Sequence, residues 1–251
     1  MKVMIISDLH YDKRVFHGID ESRAWGWLLT IVDYHRPDLL VSLGDWGEDV
    51  SEAEFYELLR RVRVWSIYGN HENMGVLGKI HNILTGNYEP VLMGDGEVRV
   101  FNGIRFGAIN GIVALRRRSR KGVPRKKPEE YVEYGRRLAG KVDVLLIHDS
   151  PWIEPYAGKI ARDKRTEAVN KAVYEAKPKI VFSGHLHFSP YTVYRFPYGT
   201  LYVRIDSSQK HKHYAIVDTE ELKIEVWENL RPITEIATKR SVEEHTSICL
   251  A

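Results

Sequence analysis

Short apolar runs rich in valine and isoleucine recur along the chain and alternate with segments in which apolar residues return every three or four positions. Runs of the first kind are strands buried on both faces, and segments of the second kind are helices with one buried face. Their alternation predicts an α/β fold. The clearest predicted strands cover residues 2–7, 38–43, 62–68, 142–147 and 179–183. Two further pairs, Val98–Phe101 with Ile104–Ile109 and Leu201–Ile205 with residues 214–218, read as antiparallel. Asn102-Gly103 between the first two is a hairpin signal, because a tight two-residue turn needs positive φ at both positions. Helices are predicted over 21–36, where Trp25, Leu28, Leu29 and Val32 share a face, and over 51–61, which Ser51 and Glu54 open as a capping box. Three more fall at 73–84, 128–139 and 163–176. After Trp227 the pattern turns polar and loses its period, so residues 1–230 read as one domain and 231–251 as a polar C-terminal tail.

Composition narrows this picture. A chain of 251 residues with 43% hydrophobic content can bury an ordinary core. No apolar run approaches the roughly 20 residues of a membrane helix, and the apolar opening reaches Ser7-Asp8 too soon for a secretion signal. The expectation is a cytoplasmic protein without a membrane anchor. Cys249, the only cysteine, excludes an internal disulfide and a thiolate metal cluster.

The net charge of +3 conceals one concentration of cations. Arg116, Arg117, Arg118, Arg120, Lys121, Arg125, Lys126 and Lys127 stand together with no acid among them, and the rest of the chain is net acidic. Such a run is either a solvated loop or a means of recruiting a polyanion, nucleic acid or nucleotide, through counterion release.

The chemistry gathers where strands end. Five times an apolar run closes on a residue able to hold a metal: Asp8 with His10, Asp45, Asn70 with His71, His148, and His185 with His187. The carboxyl ends of strands in an open α/β sheet are where ligands collect, so five such endings describe one site. Oxygen and imidazole donors without sulfur favour divalent ions such as manganese, iron or zinc. Two such ions roughly 3.5–4 Å apart can generate hydroxide from water and clamp the oxygens of an in-line displacement at phosphorus. Two histidine positions outside this set, His211 and His213, alternate along a predicted strand and read as the exposed face of an edge hairpin ahead of a role in holding substrate. Trp46, next to Asp45, reads either as core or as a platform for a ring.

In Asp8-Leu9-His10, Gly44-Asp45-Trp46-Gly47-Glu48, Gly69-Asn70-His71-Glu72, His148 and Gly184-His185-Leu186-His187, in that order, the sequence resembles the calcineurin-like metallophosphoesterases. The resemblance implies a four-layer αββα sandwich of two packed mixed sheets flanked by helices, and a phosphodiesterase or phosphatase using a binuclear metal centre. It implies that Asp8, His10, Asp45 and His187 hold one ion, that Asp45, Asn70, His148 and His185 hold the other, and that manganese is the foremost candidate, with iron, zinc and nickel behind it. It places Asn70 and His71 against the substrate, with His71 as general acid or as donor to the phosphoryl oxygen. Glu72 and Asp149 are expected to orient imidazoles. Where the family often has Asp and then Arg, this chain has Glu48 and Asp49, so a phosphate contact from that arginine has to come from elsewhere. Two alternatives are a nuclease of the DNA-repair exonuclease type and a non-catalytic protein-binding scaffold. Little chain follows residue 218 to build a DNA-capping region, and a scaffold has no need of the ligand residues and His71 that are kept here.

Overall fold

The structure is a computed structural model and describes residues 1–116 and 118–238. In chain order the strands of the first half are β1 (Lys2–Ile6), β2 (Val15–Phe16), β3 (Ile19–Asp20), β4 (Leu39–Ser42), β5 (Arg63–Ser66), β6 (Val98–Phe101), β7 (Ile104–Ile109), β8 (Ser119–Arg120) and β9 (Val123–Pro124). There follow β10 (Val144–Ile147), β11 (Ile180–Ser183), β12 (Tyr191–Arg195), β13 (Leu201–Ile205), β14 (His213–Asp218), β15 (Lys223–Glu228) and β16 (Arg231–Ile236). The helices are α1 (Ala24–His35), α2 (Glu52–Leu59), α3 (Met74–Leu77), α4 (Pro128–Arg137) and α5 (Lys164–Ala176). Among the described residues no helix is long and apolar enough to cross a membrane.

Two six-stranded mixed sheets carry the fold, ordered β16-β15-β14-β1-β4-β5 and β12-β13-β11-β10-β7-β6. Each has a parallel centre: β1, β4 and β5 in the first, and β7, β10, β11 and β13 in the second. Because strand side chains alternate in direction, each central strand feeds two cores. Val3 and Ile5 of β1 meet Val144 and Leu146 of β10 between the sheets. Met4 and Ile6 face α1 and α2 together with Trp25, Leu28, Phe55 and Leu58. Leu145 and Ile147 face α4 and α5 with Tyr131, Val169 and Val173. Three apolar layers between four layers of structure make the expected αββα sandwich.

Local signals behave as their chemistry requires. Ser51 and Glu54 form the capping box of α2. Asn102 and Gly103 take φ of 46° and 78° between the antiparallel β6 and β7. Four expectations need correction. The helix predicted over 73–84 is only the four residues of α3 and a 3₁₀ turn at Ile83–Thr85. Gly75 and Gly78 weaken it, and the Asn82 side chain bonds both backbone groups of Val64, continuing the ladder of β5. Leu201–Ile205 and the strand after it do not pair: β13 lies beside β11 and β12, whereas β14 lies beside β1 and β15. The connection between them crosses from one sheet to the other, where the Ser207 N–H donates to Ser7 O at 2.8 Å. The predicted tail boundary falls at a strand, since β16 pairs antiparallel with β15 and buries Ile236. An edge strand with one wet face reads as polar in sequence, and Pro232 suits such an edge. Residues 239–251, with Cys249, lie outside the described residues, as does Arg117. Lastly, His211 precedes β14 and His213 opens it; His213 is buried, its ring stacked on Tyr191, so neither belongs to an exposed hairpin face.

Candidate metal centre

The carboxyl ends of β1, β4, β5, β10 and β11 bring all five predicted blocks to one rim. The loops after β1 and β4 are tied together, Asp8 N–H to Gly44 O at 2.9 Å and His10 N–H to Asp45 O at 2.9 Å. Asp8, His10, Asp45 and His185 all adopt left-handed backbone, with φ from 49° to 72°. Four strained non-glycine residues in one place are the mark of a functional site, because only the surrounding structure holds them there. Close approach requires glycine at Gly69 and at Gly184. A Cβ at Gly69 would overlap Asp45 Oδ1 and the His148 ring, and one at Gly184 would overlap Ser7 Oγ and Asp8 Oδ2.

Two groups of donors result, and they share one residue. Asp8, Asp45 and His148 place one ligand atom each within 4.8 Å of one another, and so do Asp8, His10 and His187. His148 Nε2 is 3.4 Å from Asp45 Oδ2. The nitrogens of His10 and His187 face each other at 3.3 Å. The His185 ring stands edge-on to His148 with centroids 5.2 Å apart, and its backbone N–H donates to Asp8. Asn70 enters through its backbone, whose N–H donates to Asp45 Oδ1 at 2.5 Å.

What decides whether a cation suits this place is a pair of orphaned atoms. His148 Nε2 and Asn70 Oδ1 are buried without any hydrogen-bond partner. Buried polar groups are almost always paired, and an unpaired one costs about 1–3 kcal/mol. His148 Nδ1 donates to Leu43 O at 2.9 Å, which turns Nε2 toward Asp45. His187 is oriented likewise, with Nδ1 2.9 Å from Asp206 Oδ2 and Nε2 3.8 Å from Asp8.

Titration behaviour points the same way. Burial opposes charge on His148, but Asp45 and Asp8 outweigh it and hold the imidazole up at about 10. Burial likewise opposes charge on His187, and Asp206 and Asp8 hold it up at about 9. Burial would raise Asp45, yet His148, His10 and His71 bring it well below the usual carboxylate range. The pocket therefore retains protons strongly, the field that a divalent ion would exploit by displacing them.

Neighbouring residues do different work from that expected. Glu72 touches no ring: its carboxyl accepts from the backbone N–H groups of Asp45, Trp46 and Gly69, bracing two loops at once. Burial and the Asp45 charge push its carboxyl up to about 8. Asp149 accepts from Val113 and Ser150 N–H groups and so fixes backbone as well. Trp46 is core, donating to Ser66 Oγ and packing on Trp25 and Phe55. His71, about one-third exposed at the mouth, has Nδ1 3.4 Å from Glu48 Oε1. Asp206 was missed by sequence reasoning, although it follows the apolar strand β13 as Asp8 follows β1. His211 lies beside it, 3.8 Å from Asp206 and 3.2 Å from His187 O. A recess of 170 Å³ borders His185, lined by Val113, Ile160, Arg165 and Leu186 among others.

A family model described as calcineurin-like phosphoesterase matches residues 1–189, which contain every predicted ligand. The chain belongs to the calcineurin-like phosphoesterase family. This phosphoesterase is a metal-dependent hydrolase acting on phosphoester bonds. No curated protein sequence matches it. Among solved structures it is similar to TT1561 of Thermus thermophilus, at 10% identity and a TM-score of 0.59, covering 90% of this chain and 98% of that one. It is also similar to a dimetal phosphatase from Danio rerio, at 12% identity and a TM-score of 0.59 over 95% and 99% of the two chains. An NAD nucleotidase from Haemophilus influenzae matches at 11% identity and a TM-score of 0.52, over 94% of this chain and 49% of that one. At these identities the likeness is one of fold.

Proposed function

We propose that Asp8, His10, Asp45, Asn70, His148, His185 and His187 hold two divalent metal ions, manganese foremost, and that the protein is a binuclear phosphodiesterase or phosphatase. The observation that carries this reading is the pair of donor groups meeting at Asp8, one of them containing a buried imidazole nitrogen that completes no hydrogen bond and stands 3.4 Å from the Asp45 carboxylate. When bound, such ions supply Lewis-acid activation of water and of the phosphoryl group.

The chain's own residues supply the rest. Asp45 lies between the two groups: Oδ2 is 3.6 Å from His10 Nε2 and 3.4 Å from His148 Nε2, which suits a bridging ligand. The Asp45 Oδ1 atom fixes the following block by accepting from the Asn70 and His71 N–H groups. His71, its ring 5.3 Å from that of His10, stands where it can donate a proton to the leaving oxygen or a hydrogen bond to the phosphoryl group. Glu48 holds the far side of that ring. The unpartnered Asn70 Oδ1 is the atom we assign to metal and substrate.

The test is hydrolysis of bis-p-nitrophenyl phosphate beside p-nitrophenyl phosphate, using metal-stripped protein re-supplied with manganese, zinc, nickel or magnesium. Turnover that returns only with a divalent metal is expected. His71→Ala is expected to lose about 10²- to 10⁴-fold in kcat while keeping its metal content. Absence of turnover with every metal would instead favour the scaffold reading.

A further inference from the structure

The hairpin tip of the basic run reaches the mouth of the site. Strands β8 and β9 pair around Lys121-Gly122, whose φ of 50° and 79° make a tight hairpin tip. Lys121 Nζ lies 2.9 and 2.7 Å from the two oxygens of Glu48, and the same carboxylate is 3.4 Å from His71. The tip is therefore two hydrogen-bond lengths from the side chain assigned to the leaving group.

The cations of the run divide by what they touch. Lys126 is buried, paired with Asp95 at 3.0 Å and donating to Tyr68 Oη and Asn110 O, so it holds the base of the hairpin. Arg118 pairs with Glu130 at 2.6 Å. Arg116 and Arg120 are exposed, and among the described residues no acid lies within ion-pair distance of either. The exposed Arg120 thus adjoins in sequence a lysine that pairs with the carboxylate beside the His71 ring.

We propose that Arg120 and Lys121, with Arg116 behind them, form a subsite for a second phosphate of the substrate, one that is not cleaved. The inference rests on the metal-centre reading above and names the substrate class: a phosphoester carrying at least two phosphates, as a nucleic acid strand or a nucleoside diphosphate does. A lone scissile phosphate is served by the metal centre itself. Adjacent cations at a hairpin tip beside that centre suit a further phosphate next to the one cleaved, and arginine's planar fork binds phosphate oxygens in pairs. An acidic body with one basic arm also steers such a ligand to the arm.

The test compares a thymidine dinucleotide with its 5′-phosphorylated form, which contain the same scissile ester and differ by one phosphate. The wild-type kcat/KM is expected to favour the phosphorylated form by about tenfold, or about 1.4 kcal/mol, and Arg120→Ala/Lys121→Ala to bring the ratio close to one, chiefly through KM. Arg116→Ala/Arg120→Ala, which leaves the Glu48–Lys121 pair in place, should lower the ratio as well. That separates a phosphate contact from simple neutralisation of Glu48. ADP beside AMP gives the second arm, read as the change the variants make in their ratio because ADP breaks an anhydride and AMP an ester: a change confined to this pair assigns the subsite to free nucleotides, and one confined to the dinucleotides assigns it to strands. Equal wild-type kcat/KM within both pairs, or ratios that the variants leave unchanged, would overturn the proposal. If no ester is cleaved, the metal-centre reading has failed, and fluorescence anisotropy of a labelled oligothymidylate still reads the hairpin. Binding that weakens at least several-fold in Arg120→Ala/Lys121→Ala supports the subsite, and equal binding overturns it.

Discussion

The two donor groups share Asp8 and differ in how they meet water. In the inner group the side chains of Asp8, Asp45 and His148 are 1%, 2% and 0% exposed. In the outer group His10 and His187 are 14% and 40% exposed. Burying two carboxylates and an imidazole this deeply is costly for the metal-free protein, and that cost is relieved when a cation arrives. The outer imidazoles pay less for being empty, since water reaches them. The same ligand types, placed at two depths, should therefore give one tightly held ion and one that exchanges more readily.

The largest effect that can break this contrast is a change inside the inner group. His148→Gln is expected to lower kcat/KM by about 10³-fold or more, since several kcal/mol of charge stabilisation are at stake, and excess metal should not restore it. His10→Gln should lose less and recover partly as metal is raised. If the two variants behave alike in a metal-activation series, depth does not distinguish the groups. A smaller effect is expected at Asp206, which orients His187 without facing the centre. Asp206→Asn should raise the metal concentration for half-activation by about 10- to 100-fold, with little change in the activity reached at saturation.

A stability effect outside the centre tests whether acid sensitivity belongs to the centre alone. His35 is buried beside Tyr214 Oη at 2.8 Å, and burial with the Lys2 charge pushes its imidazole from 6.5 down to about 4. The unfolded chain then binds this proton more readily, so stability present above pH 6.5 is lost as pH falls toward 4. The loss amounts to about 2–3 kcal/mol in urea unfolding of metal-stripped protein, and His35→Phe should remove that part of the slope. An unchanged slope would assign the acid sensitivity to the metal centre's own residues.

The same contrast in depth explains what could be read from the sequence. The inner residues follow buried strands directly, so the apolar runs before Asp8, Asp45 and His148 made both the sheets and the centre legible. Asp206 gives the same signal and was passed over because β13 was paired with the wrong neighbour. Other features depend on side chains meeting across the fold. Glu72 and Asp149 brace backbone instead of rings, and nothing in their spacing shows which N–H groups will come to them. Lys121 reaches Glu48 from a hairpin 73 positions away. The strand β16 was hidden because most of its residues face water.

The central claim is that two divalent ions bind, one at each of the two donor groups. It is tested most directly by native mass spectrometry of metal-stripped protein titrated with manganese. The account predicts two successive mass steps, the first at the lower metal concentration and absent in His148→Gln. A single step in the wild-type protein, or two steps that survive in that variant, would contradict it.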